Sequence, residues 1–163
     1  DPLTCLPGRS RFWELARALE RKVLDDVELG LAVLFVDLDG FKQVNDRFGH
    51  DRGDWVLSRA ADVVRESVRV EDVAGRLGGD EFAVCMTAPQ EKLEAAAAST
   101  AERIVERVRE IGYDIGCSIG VSLCERGAPN LSRALALADQ AMYEAKRLGK
   151  NRYVLREDTT LEA

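Results

Sequence analysis

Apolar positions along the chain fall into two periods. From Phe12 the spacing Phe12, Leu15, Ala16, Leu19, Val23 makes one face of a helix that runs to about Asp26. Leu31 to Val36 is instead an unbroken apolar run, the pattern of a central strand buried on both faces. It ends in Asp37-Leu38-Asp39-Gly40, which places two carboxylates and a glycine at the carboxyl end of a strand, where ligands usually sit in α/β sheets.

Phe41 to Arg47 fits a short helix, and the following Phe48 to Asp54, FGHDRGD, reads as a polar loop with two glycines. Leu57, Ala60, Ala61, Val64 and Val68 mark a second long helix. Val73 to Leu77 and Glu81 to Met86 read as strands joined through Gly78-Gly79, with Asp80 and Glu81 at the hairpin tip or just inside it. The glycine pair is expected there because glycine takes positive φ without steric cost. A helix over residues 91–111 has Leu93, Ala97, Ile104, Val108 and Ile111 on its inner face. Ile115 to Leu123 is a strand with Gly116 and Gly120 as candidate bulges, Leu131 to Leu148 carries the last helical stripe, and Tyr153 to Leu155 is a short final strand. The hairpin is necessarily antiparallel, which excludes a purely parallel doubly wound sheet. The pattern predicts an α/β (α+β) fold: a ferredoxin-like or palm-like mixed, mainly antiparallel sheet of about five strands flanked by helices.

Composition narrows the function. At 163 residues the chain is one domain, and its 46% hydrophobic and 32% charged fractions are ordinary for a globular protein. A net charge of −6 argues against broad binding to nucleic-acid polymers or anionic membranes. No stretch reads as a membrane span or signal peptide, so a cytoplasmic location is expected. Cys5, Cys85, Cys117 and Cys124 show no CxxC spacing, and His50 is the only histidine, so no zinc site is expected. Cys85 and Cys117 lie in strand-like runs and read as buried, reduced thiols.

If the strand ending at Asp37 neighbours the hairpin, Asp37, Asp80 and Glu81 converge. Carboxylates at close range repel, so such a cluster usually holds a cation, and an all-oxygen set suits Mg²⁺ or Mn²⁺. Mg²⁺ completes its shell with waters and phosphate oxygens, which points to a nucleoside triphosphate. Taken singly, such acids more often only solvate strand ends. There is no GxxxxGK[ST] loop, but Gly40 and the backbone N–H groups entering the short helix can cradle an anion, with Lys42 in the same loop. Lys146 and Lys150 stand four apart on one face of the last helix or its end, although surface lysines are usually just solvated.

With these features in place the chain closely resembles the GGDEF-domain diguanylate cyclases, whose signature stands unbroken at Gly78-Gly79-Asp80-Glu81-Phe82. DPLTCLPGR from Asp1 to Arg9 is similar to the family's opening motif, FVDLDGFKQVND from Phe35 to Asp46 to its metal and nucleotide loop, and GHDRGD from Gly49 to Asp54 to the segment after it. CSIGVS from Cys117 to Ser122 and ADQAMYEAKRLGKNR from Ala138 to Arg152 match its late strand and last helix. The resemblance covers nearly the whole chain and implies one GGDEF domain over residues 1–163, cut from a larger signalling protein, with any upstream sensory segment absent because the chain opens directly at the DPLT motif.

The resemblance also implies a reaction. Two GTP molecules, one on each subunit of a facing homodimer, condense to cyclic di-GMP and release two pyrophosphates. Asp37 and Asp80, with the Leu38 carbonyl, would bind two Mg²⁺ or Mn²⁺ ions per half-site, and Glu81 would assist there and help activate the 3′-hydroxyl. Asn45 and Asp54 would read guanine. Phe41 and Lys42 backbone groups, with Lys146 and Lys150, would hold the β- and γ-phosphates, while Gly78 and Gly79 give the substrate-binding hairpin its tight turn. Arg69 and Asp72, an RxxD just before the hairpin, would form an inhibitory site for cyclic di-GMP; a second basic contact, for which Arg103 and Arg107 on the long helix are candidates, is not placed by the sequence. Cys5 and Gly8 depart from the usual Gly and Asn of the opening motif, and Lys150 stands where Arg is frequent, so its phosphate contact would be by point charge. The alternative is a silent GGDEF domain that receives GTP or cyclic di-GMP; members of that kind generally lose an acid of the signature, which this chain keeps.

Overall fold

The computed structural model describes residues 1–159, so the last four positions of the expected 1–163 domain lie outside the described residues. Helix α1 (Arg9–Leu24) leads into β1 (Leu29–Asp39), followed by α2 (Phe41–Phe48), α3 (His50–Ser67) and the hairpin strands β2 (Val73–Arg76) and β3 (Glu81–Pro89). A single 3₁₀ turn, Gln90–Lys92, opens α4 (Leu93–Arg109), and the chain continues through β4 (Gly116–Leu123), α5 (Leu131–Arg147) and β5 (Arg152–Glu157).

The five strands lie in the order β2-β3-β1-β4-β5, antiparallel throughout except for the parallel pair β4/β5. Omitting the edge strand β5, this is the ferredoxin-like arrangement expected from the sequence. Strand β1 is buried on both faces because its alternate residues serve two cores. Ala32, Leu34, Val36 and Leu38 pack with α3 and α4, whereas Leu31, Val33 and Phe35 pack with α1 and α5. Asp37 and Asp39 continue the second series, so strand alternation directs them to the side of the sheet that α5 covers.

Two expectations from the sequence are corrected here. FGHDRGD is not a loop: Gly49, at φ 90°, is the only residue between α2 and α3, and helix resumes at His50. These polar residues read as a loop because they form the exposed first turns of α3, whose apolar stripe begins only at Val56. Nor do Gly116 and Gly120 form bulges, since both sit in an unbroken register opposite Asp39 and Phe35. Gly120 is needed for close approach: a Cβ there would lie 1.8 Å from the Ala138 carbonyl oxygen and 2.4 Å from the Met142 nitrogen. Helix α5 therefore rests directly on the β4 backbone, which brings its last turn down to the end of β1.

Candidate active site

The antiparallel pairing of β1 with β3 places Asp37 directly opposite Glu81, and the Leu38 N–H donates to the Asp80 carbonyl at 3.1 Å. Ladder geometry thus fixes the convergence of Asp37, Asp80 and Glu81. The Asp37 carboxyl titrates at about 6, pushed up first by burial and next by the negative charge of Asp80, with Glu81 adding to the rise and Lys146 opposing it. Such a site carries more negative charge than it neutralises. An oxygen donor set with uncompensated charge fits a hard divalent cation. Among the described residues no three His, Cys, Asp or Glu side chains form a cage for an ion on their own.

The glycines of the hairpin act differently from the expectation. Neither Gly78 nor Gly79 has a positive φ. Gly78 instead makes room, since a Cβ there would stand 2.4 Å from Glu81 Oε1. The turn is held by Arg76, which donates from Nε to the Gly78 carbonyl at 3.1 Å and from Nη2 to the Gly79 carbonyl at 2.8 Å. Asp1 anchors that guanidinium at 3.1 Å and also accepts from the Thr4 N–H. The opening DPLT motif therefore buttresses the hairpin, a role not visible in its sequence.

Asp39 is the second unforeseen element. It is 7% exposed and accepts from Ser118 Oγ at 2.9 Å, Lys146 Nζ at 3.1 Å and the Asn151 N–H at 3.0 Å. Lys146 also lies 3.5 Å from Asp37 Oδ2. Burial lowers the Lys146 pKa, but the hydrogen bond to Asp39 and the charges of Asp37 and Asp39 outweigh it and leave the group above its ordinary value. Lys150 falls at the end of α5 and not on its face: the helix stops at Arg147, and Lys150 occupies a left-handed turn just beyond it at φ 64°. It lines an open cleft of about 410 Å³ shared with Asp39, Gly40, Asp114, Gly116, Asn151 and Arg109. Arg109 is a further cation that its position on α4 gave no reason to select.

Gly40, at φ 85°, turns the chain from β1 into α2, so the α2 backbone starts at that same cleft with the Phe41 and Lys42 N–H groups in its first turn. Lys42 itself is exposed. On the α2–α3 hairpin, Asn45 lies against Gly53, where a Cβ would meet Asn45 Oδ1 at 1.8 Å, and the exposed Asp54 follows immediately. Arg69 and Asp72 form a closed turn: the Arg69 N–H donates to Asp72 Oδ2 at 2.9 Å and the Asp72 N–H to the Arg69 carbonyl at 3.0 Å. They border a separate cleft of about 750 Å³ between α1 and the end of α3, which Arg65 also lines. Arg103 and Arg107 do not line that cleft; Arg103 donates to the Ser67 carbonyl and Arg107 pairs with Glu66.

The cysteines are free. Cys85, Cys117 and Cys124 are buried and Cys5 is exposed; burial drives the Cys85 and Cys117 thiols far up and the Cys124 thiol to about 11, which leaves them un-ionised at neutral pH. Among the described residues no helix is long and apolar enough to cross a membrane.

Comparison with other proteins identifies the family. Residues 1–152 match the family described as diguanylate cyclase, GGDEF domain. The bifunctional diguanylate cyclase/cyclic di-GMP phosphodiesterase MucR of Pseudomonas aeruginosa is 39% identical over 98% of this chain, which spans 24% of MucR. The diguanylate cyclase DosC of Escherichia coli is 39% identical over 95% of the chain, spanning 34% of DosC. The chain thus corresponds to a quarter to a third of these relatives' length. Among solved structures, the isolated GGDEF domain of TpbB (YfiN) from Pseudomonas aeruginosa superposes with a TM-score of 0.83 at 39% identity, covering 95% of this chain and 92% of that one. The coiled coil and GGDEF domain of DgcB from Caulobacter crescentus, in complex with c-di-GMP, gives 0.82 at 28% identity, covering 96% and 84%. By the match along its length and by its fold, this chain belongs to the GGDEF-domain diguanylate cyclase family.

Proposed function

We propose that this domain is an active diguanylate cyclase that condenses two GTP molecules into cyclic di-GMP. The observation that carries the reading is the meeting of Asp37, Asp80 and Glu81 at the end of β1, beside a cleft that holds the start of α2 and the Lys150 cation. Asp37 and Asp80, with the Leu38 carbonyl, would hold Mg²⁺ or Mn²⁺. When bound, such an ion supplies positive charge to the triphosphate and to the leaving pyrophosphate.

The chain's own groups do the rest. Asn45 and Asp54 orient guanine, the carboxylate accepting from N1–H and the exocyclic amine, a donor pattern adenine lacks. The Phe41 and Lys42 N–H groups, Lys146 and Lys150 hold the β- and γ-phosphates. Glu81 accepts the proton of the 3′-hydroxyl. That oxygen attacks the α-phosphorus of the nucleotide on a facing subunit, the bond to pyrophosphate breaks, and the same exchange in the opposite sense closes the ring. One domain supplies half of the constellation, so turnover requires a homodimer. Arg69 and Asp72, on a different side of the fold from Lys150, provide the place for product inhibition.

Incubation with GTP and Mg²⁺ at rising protein concentration, with chromatography for cyclic di-GMP, tests the reading. Product rising faster than linearly with protein and vanishing in Asp80→Ala supports it. Tight GTP binding without product, even when a dimerising coiled coil is fused ahead of Asp1, would leave a nucleotide receptor in its place.

A further inference from the structure

Building on the reading of this cleft as a GTP site, we infer that Asp39 is the positioning residue of its phosphate end: it holds the Lys146 ammonium and the Lys150-Asn151 turn where the β- and γ-phosphates arrive. Three observations lead there. First, Asp39 itself is committed. Both its oxygens accept from Ser118 Oγ, at 2.9 and 3.0 Å, while Lys146 Nζ and the Asn151 N–H take the remaining directions at 3.1 and 3.0 Å. At 7% exposure it has little surface to offer a ligand, so its influence passes through the groups it holds.

Second, the turn after α5 is strained. Gly149, Lys150 and Asn151 are consecutive positive-φ residues at 124°, 64° and 52°, and two of them carry side chains. Such a backbone persists only where its surroundings impose it. The Lys150 N–H donates to the Ala145 carbonyl at 3.0 Å, Arg152 Nε donates to the Lys150 carbonyl at 3.1 Å, and the Asn151 N–H donates to Asp39, the one side-chain acceptor from β1 that, among the described residues, holds the turn. Releasing the bond to Asp39 loosens the turn that presents Lys150, which lines the cleft beside Gly40. Third, Lys146 reaches Asp39 only because α5 lies on the β4 backbone at Gly120, so the contact is a product of close packing and not of a free surface lysine. One buried carboxylate on β1 thereby ties together β4, the last turn of α5 and the strained turn that presents the second lysine.

A buried acid that merely keeps the fold intact would affect every ligand alike, and this is the distinction to measure. Calorimetric titration of GTP and GMP is carried out on the chain with divalent metal chelated, so that the lysines carry the phosphate contribution. Asp39→Asn is expected to weaken GTP about tenfold while GMP, held through guanine, stays within about twofold. In a Lys146→Met/Lys150→Met background the same substitution is expected to bring no further loss of GTP affinity. Parallel weakening of GTP and GMP in the folded variant, unchanged GTP affinity, or a full loss persisting without the lysines overturns the inference. Thermal melts accompany the titrations. If Asp39→Asn does not fold, Ser118→Ala removes one of the donors and is expected to give the same selectivity at roughly threefold, and equal effects on both nucleotides again refute the idea. Wild-type chain that binds GTP no more tightly than GMP in chelator refutes this inference alone, whereas binding of neither nucleotide when the titration is repeated with Mg²⁺ refutes the GTP site as well.

Discussion

Two regions set an aspartate beside basic residues, and they are built in opposite ways. At the end of β1, Asp37, Asp39 and Lys146 are largely buried, closely spaced and locked by ladder geometry, with acidic charge in excess. In the turn before the hairpin, Asp72 spends one carboxylate oxygen on its own turn, while the Arg69 side chain is 63% exposed and its recorded ion pair, to Glu71, spans 3.9 Å. Val70 between them is fully exposed. The first region stores electrostatic tension that a cation would relieve; the second has a settled backbone and a loose basic arm. A centre for chemistry needs groups fixed before substrate arrives, whereas an arm that recognises a planar or anionic ligand can be ordered on binding at small energetic cost to the free protein.

Substitutions can break this contrast. The largest effect is expected from Asp80→Ala, which should lower cyclic di-GMP synthesis by at least ~10²-fold in an assay with GTP and Mg²⁺, leaving the fold intact by circular dichroism. Next is Gly120→Ala: with backbone atoms 1.8 and 2.4 Å from the new Cβ, α5 must lift off β4. A loss of about 3 kcal/mol in urea unfolding is expected, together with loss of turnover as Lys146 leaves Asp37 and Asp39.

Asp37→Asn should move activity and stability in opposite directions. The folded carboxyl titrates at about 6 against 3.8 for its ordinary value, so between those pH values the folded chain holds a proton that the unfolded chain releases. Wild-type stability therefore falls as pH rises through that window, and above it the metal-free fold carries the full burden. The variant is expected to abolish turnover yet melt higher in chelator, with an advantage that grows from pH 4 to 6 and levels off near 2 kcal/mol. Equal stability at pH 7 would show that Asp37 is not strained. Arg69→Ala is the smallest perturbation: unfolding free energy within about 0.5 kcal/mol of wild type, with any inhibition by added cyclic di-GMP relieved.

Much of this was legible in the sequence because it follows from period and pairing. An apolar run such as Leu31 to Val36 can be satisfied only by two layers of helices, and a hairpin ending in Asp80 and Glu81 beside a strand ending in Asp37 brings the acids together once the two strands pair. What was hidden depends on contacts between segments distant in sequence. Asp39 looks like Asp37 until Ser118, Lys146 and Asn151, residues 79 to 112 positions away, are placed around it. Gly120 reads as a bulge because a glycine in a strand carries the same letter whether it bends the backbone or admits a helix. Gly78 reads as a positive-φ position for a related reason, whereas the turn needs space there for Glu81. The first turns of α3 were lost because their exposed polar residues show no stripe.

The central claim is that the acids of one chain form only half of an active centre. Mixing wild-type chain with Asp80→Ala at fixed total concentration, under conditions where the protein is dimeric, tests this most directly. If two intact half-sites must face each other, an equal mixture retains about a quarter of the wild-type turnover, since only dimers of two wild-type subunits are active. Retention of about half, falling in simple proportion to the wild-type fraction, would mean that each chain completes the reaction alone and would contradict the account.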